Sequence, residues 1–102
     1  RPVFAACLAQ NNFKLTAEAL EAAITPATCW LILNSPSNPT GSVYTRSELK
    51  ALAEVLLRHP QILIMTDDIY EHLIYGEAEF STLAQVEPEL ISRTLTCNGM
   101  SK

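Results

Sequence analysis

Trp30-Leu31-Ile32-Leu33-Asn34-Ser35-Pro36-Ser37-Asn38-Pro39-Thr40-Gly41 sets a continuous apolar run directly against a segment dominated by turn formers. The apolar run predicts a strand buried on both faces, the pattern of a parallel sheet covered by helices. Asn, Ser, Pro and Gly each favour turns for a separate reason. Two prolines make this loop stiff, suited to holding an amide side chain in place. Downstream, Thr45 and Glu48 have capping-box spacing, and Leu49, Leu52, Ala53 and Leu56 recur at helical intervals. His59-Pro60 closes that helix, because proline disfavours the helical region for the residue before it. A second apolar run, Ile62-Leu63-Ile64-Met65, ends at Thr66-Asp67-Asp68. Strand, helix and strand of these lengths make a βαβ unit.

The flanks extend the pattern. Thr16 is placed to cap a helix beginning at Ala17, with Leu20, Ala23 and Ile24 on one face and Thr25-Pro26 ending it. A shorter third strand is predicted over Arg93–Cys97. The expected fold class is α/β, a mostly parallel sheet with helices on both faces. Such sheets bind ligands beyond the carboxyl ends of their strands. The chemically distinctive residues fall there: Asn34–Gly41, Asp67–Tyr70 and Asn98–Lys102.

The bulk properties exclude several function classes. The chain has 102 residues, 48% of them hydrophobic and 18% charged, as in an ordinary globular segment. Eleven acids against 7 Lys and Arg give a formal charge of -4, which offers no reason to expect nucleic acid or an anionic membrane as partner. No apolar run approaches the roughly 20 residues of a membrane-spanning helix. Cys7, Cys29 and Cys97 are odd in number and lack Cys-x-x-Cys spacing. They argue against a disulfide framework or a zinc site and fit a reducing cytoplasm. The first residues lack the pattern of a signal peptide, and the chain reads as cut at both ends.

Taken singly, the three clusters are ambiguous. Asn34–Gly41 could be a surface turn. Acids at the end of an apolar strand, as at Asp67 and Asp68, could cap a helix, bind magnesium as in nucleotide hydrolases, or pair with a cationic ligand atom. The magnesium reading needs a glycine-rich phosphate loop, which these residues do not contain. His72 beside Glu71 has no metal-ligand spacing and reads as a surface or helix-packing residue, so no metal ligand is assigned. Lys102 alone is an ordinary solvated lysine.

Together and in order, Asn-Ser-Pro-Ser-Asn-Pro-Thr-Gly at 34–41, Thr-Asp-Asp-Ile-Tyr-Glu-His-Leu-Ile-Tyr at 66–75 and Asn-Gly-Met-Ser-Lys at 98–102 resemble the class I/II aminotransferases of the fold-type I pyridoxal-phosphate superfamily, most of all their bacterial aspartate aminotransferase branch. The resemblance runs the full length of the chain. It implies that residues 1–102 are the central part of the large cofactor-binding domain. It also implies transfer of an amino group between an amino acid and a 2-oxo acid, in a homodimer.

By the same resemblance, Asn38 and Tyr70 would donate hydrogen bonds to the phenolic oxygen of pyridoxal phosphate. Asp67 would pair with the protonated pyridine nitrogen, and Lys102 would form the Schiff base and move the substrate's proton. Asp68 would be a bystander capping the turn after the strand. The Asn38–Pro39 peptide is expected to be cis, an isomer that is inexpensive only before proline. One departure stands out: where many relatives place a phosphate-binding serine three residues before the lysine, this chain has Gly99. The same apparatus also serves lyases and decarboxylases, and aminotransferase-like domains occur in some transcription regulators.

Overall fold

Three parallel strands, β1 (Trp30–Asn34), β2 (Leu63–Asp67) and β3 (Thr94–Cys97), pair in the order β1-β2-β3 in a computed structural model that describes residues 1–102. Adjacent parallel strands need long crossovers. The first carries α2 (Arg46–Leu57); the second carries α3 (Leu83–Val86) and a 3-10 helix over Pro88–Arg93. Before β1 come a 3-10 turn at Ala9–Asn11 and α1 (Ala17–Ala23). No helix is long and apolar enough to cross a membrane.

The expected helix starts are found with their caps. The Thr16 side chain accepts from the Ala19 amide at 3.2 Å. Thr45 and Glu48 form the reciprocal capping box, with Glu48 N–H donating to the Thr45 hydroxyl at 3.2 Å and Thr45 N–H to the Glu48 carboxylate at 2.7 Å. Burial pushes the Glu48 carboxyl up, but bonds from Lys14 and from Thr45 outweigh it and hold the group below its ordinary range. Helix α2 stops at Leu57, two residues before His59, and Arg58 caps it. The short helix α3 is an addition to the expected pattern. Thr82 and Gln85 form a second capping box around it, a spacing visible in the sequence.

Helix α2 supplies most of the core. Leu49, Leu52, Ala53 and Leu56, the predicted stripe, are all buried, as is Val55 beside them. They pack with Leu33 and Ile64 of the sheet and with Leu20, Leu83 and Leu90. Each buried leucine contributes roughly 1.5–3 kcal/mol relative to its exposed state. Tyr44 closes one end of this core, its hydroxyl accepting from the buried Leu15 amide at 2.7 Å. The other end of α2 is held by Arg93. Its guanidinium donates to the carbonyls of Leu56 at 2.6 Å, Ile62 at 2.7 Å and His59 at 3.1 Å.

The parallel sheet with its helices agrees with the expected class, but within these residues the helices cover one face. Leu33 and Ile64 lie under α2, whereas Ile32 is 65% exposed, Leu95 53% and Trp30 49%. The expectation that the apolar strands are buried on both faces is therefore not met within residues 1–102. The cause lies in the strand order. Crossovers are right-handed almost without exception, and two such crossovers stepping the same way along a sheet put both sets of helices on one side.

Candidate functional site

The strand register places Asn34 opposite Asp67, and Asp67 opposite Cys97. Side chains alternate along a strand, so Asn34 and Asp67 share the open face with Ile32 and Met65. The Asn34 carboxamide spans two of the sequence clusters. Its Nδ2 donates to the Asp67 carbonyl at 2.9 Å, and its Oδ1 accepts from the Asn38 amide at 3.0 Å. The Ser35 amide also donates to the Asp67 carbonyl, at 3.2 Å. The loop that follows turns tightly, with Gly41 N–H donating to the Ser37 carbonyl at 2.7 Å and Gly41 in the left-handed region at φ 69°. Asn38–Pro39 is cis, as expected, and Ser35–Pro36 is cis as well.

Asn38 and Tyr70, 32 residues apart, meet directly: the Asn38 Nδ2 donates to the Tyr70 hydroxyl at 3.3 Å. They border an open hollow of about 260 Å³. Asp67 ends β2, and its Oδ1 accepts from the Ile69 amide at 3.3 Å, which ties the turn leading to Tyr70. It is thus Asp67, not Asp68, whose side chain caps this turn. Asp68 falls on the opposite parity and is only 4% exposed, beneath the helix-covered face. Its one side-chain partner is the Thr66 hydroxyl at 3.5 Å. Burial pushes the Asp68 carboxyl up to about 6, with the charges of Glu71 and Asp67 adding to the effect and the Thr66 bond opposing it.

The third cluster is tied to the second through Glu71. The Asn98 Nδ2 donates to Glu71 Oε1 at 2.6 Å, while Asn98 Oδ1 accepts from the Gly99 amide at 2.7 Å. Gly99 lies against Ile69, where an added Cβ would sit 2.9 Å from the Ile69 Cδ1. Lys102 is exposed and forms no hydrogen bond or ion pair. The structure therefore brings Asn38 and Tyr70 into contact and sets Asp67 three residues before Tyr70 at the end of β2, while Lys102 forms no hydrogen bond to any of them. His72 is a surface residue, 80% exposed and 3.4 Å from Glu71 Oε1. Asn34 and Glu71, the two connectors, were not singled out from sequence. Asn34 is lost among the turn formers around it, although its parity with Ile32 is a readable signal.

Asn38 and Tyr70 thus present an amide and a phenol at the hollow, and Asp67 a carboxylate three residues before Tyr70. The model of the family Aminotransferase class I and II matches residues 1–102, the whole chain. The chain belongs to the class I and II aminotransferases. The aspartate/prephenate aminotransferase of Cereibacter sphaeroides is 63% identical over 101 residues, which are 99% of this chain and 25% of that protein. Among aminotransferases of solved structure, the aspartate aminotransferase from Rhizobium meliloti superposes over the whole chain with a TM-score of 0.97 at 56% identity, covering 26% of its own chain. An aromatic aminotransferase from Pyrococcus horikoshii does so with a TM-score of 0.94 at 35% identity, covering 27%. The chain thus spans about a quarter of the length of the aminotransferases it matches.

Proposed function

We propose that the protein carrying these residues is a pyridoxal-phosphate-dependent aminotransferase that moves an amino group between an amino acid and a 2-oxo acid. In this reading residues 1–102 are the central part of its large cofactor-binding domain. The observation that carries the proposal is the Asn38–Tyr70 contact at 3.3 Å, in a chain of this family. Asn38 gives one N–H to the Tyr70 oxygen and keeps the other, and Tyr70 keeps its own hydroxyl proton. Both remaining donors suit one acceptor, the phenolic oxygen of the cofactor. Asp67 uses Oδ1 for the Ile69 amide and has further acceptor capacity for a protonated ring nitrogen.

Bound pyridoxal phosphate supplies a ring that accepts electrons as the substrate's Cα–H bond breaks. The chain's residues would tune and serve that ring. Asp67 would keep the ring nitrogen protonated, because a carboxylate close by favours the charged form. Asn38 and Tyr70 would stabilise negative charge on the phenolic oxygen. Lys102 would hold the cofactor covalently through its amine and, once released by the incoming amino acid, carry the proton away from Cα. No phosphate ligand is assigned, since Gly99 offers no side chain.

The names of the Cereibacter and Rhizobium relatives support aspartate as the amino donor, and the first supports prephenate as a second oxo-acid partner. A cytoplasmic homodimer belongs to the same proposal and rests on the family resemblance. The test uses the whole protein. It is expected to show a visible cofactor absorbance that Lys102→Ala abolishes, and to exchange amino groups between aspartate and a 2-oxo acid. An unchanged band in the Ala variant would reject the lysine assignment. Release of ammonia or carbon dioxide without amino transfer would favour a lyase or decarboxylase.

A further inference from the structure

We propose that Asn34 is a positioning residue that sets the aim of Asn38 at the cofactor's phenolic oxygen; this rests on the cofactor reading above. The half-buried Asn34 carboxamide uses its donor and its acceptor at once. Nδ2 is fixed to the Asp67 carbonyl at 2.9 Å, and Oδ1 then faces the Asn38 amide at 3.0 Å. A planar amide held at one end has little freedom at the other, so the Asn38 backbone is referenced directly to the strand that bears Asp67. This is the hydrogen bond made by the Asn38 backbone amide, and the Asn38 side chain reaches Tyr70 from that anchored position. The Ser35 amide also reaches β2, through the same Asp67 carbonyl, but that bond lies three residues before Asn38, and the ties beyond it, Ser37 to Ser42 and Gly41 to Ser37, are internal to the loop.

The consequence is electrostatic as well as geometric. Hydrogen bonds donated to a phenolic oxygen spread its negative charge and weaken its hold on a neighbouring proton. Loss of the Asn38 donor therefore raises the pH at which the bound cofactor's visible band turns over. If Asn34 aims that donor, removing the Asn34 carboxamide raises it too, through Asn38.

The experiment titrates the visible band of the whole, cofactor-loaded protein for the wild type, Asn34→Leu, Asn38→Ala and the double variant. Asn34→Leu is expected to shift the turnover upward by about 0.5 to 1 pH unit, the scale of one net hydrogen bond. The double variant is expected to match Asn38→Ala alone, because a residue acting through another adds nothing once its target is gone. An unshifted Asn34→Leu beside a shifted Asn38→Ala would overturn the inference while leaving the cofactor reading intact. Additive shifts would overturn it as well, by showing an independent route. An unshifted Asn38→Ala would instead count against the cofactor reading itself. Asn34→Ser, shorter and polar, reads the same contacts if the leucine variant does not accumulate.

Discussion

Asp67 and Asp68 are neighbours of identical chemistry, and one step of strand alternation gives them different properties. Asp67 lies on the open face with spare acceptor capacity, whereas Asp68 lies under the helices with one weak partner. Its raised pKa means that the native state holds the proton more tightly than the unfolded chain. Between the ordinary value of 3.8 and about 6, the folded form therefore binds more protons, and stability falls as pH rises through that window. Asp68→Asn removes this liability. The urea midpoint of the whole protein should rise on substitution at about pH 7 and converge with wild type near pH 4. A difference independent of pH would refute the assignment. The alternation separating the two acids is present in Ile64-Met65-Thr66-Asp67-Asp68, but a continuous apolar run read as buried on both faces erases it. That is why the sequence offered three meanings for this pair and did not rank the two acids by environment.

At the scale of elements, the caps and stripes were legible because their signals are local. Thr16, Thr45, Glu48 and the Leu49–Leu56 stripe all act within one or two turns of helix. The Arg93 anchor was not legible, since its three carbonyl partners lie 31 to 37 residues away. Helix α3 is too short, at four residues, to show a period. Arg93 brings positive charge to the carboxyl end of α2, where the last carbonyls lack helical partners. Arg93→Ala is expected to cost about 2–3 kcal/mol, by loss of charge-assisted bonds to buried carbonyls. Arg93→Lys should recover only part of it, because a single ammonium lacks the planar fork that reaches several acceptors. Chemical denaturation of the whole protein measures both, and equal stability of the Ala and wild-type forms would contradict the role.

For the whole molecule, the strand order decides what these residues can do alone. All the helices gather on one side, and the other side presents Trp30, Ile32, Leu63 and Leu95. An apolar sheet face of this kind invites association. The isolated 102-residue chain is expected to self-associate, to bind a hydrophobic dye and to show no transaminase turnover, as sedimentation, fluorescence and assay would report. A monomer that unfolds cooperatively and binds no dye would contradict this. The parallel sheet could be read in advance from two apolar runs and the helix between them. Its one-sidedness could not, because it follows from the direction in which successive crossovers step. The pairing of Asn34 with Asp67 carries a last consequence. Side chains alternate with a period of two, so a slip of one residue between β1 and β2 would turn one of this pair away from the other. A ligand held by Asp67 and by Asn38, which Asn34 anchors, would favour the correct alignment and stabilise it by mass action. If the proposed cofactor is that ligand, its ring would also proofread the sheet that holds it.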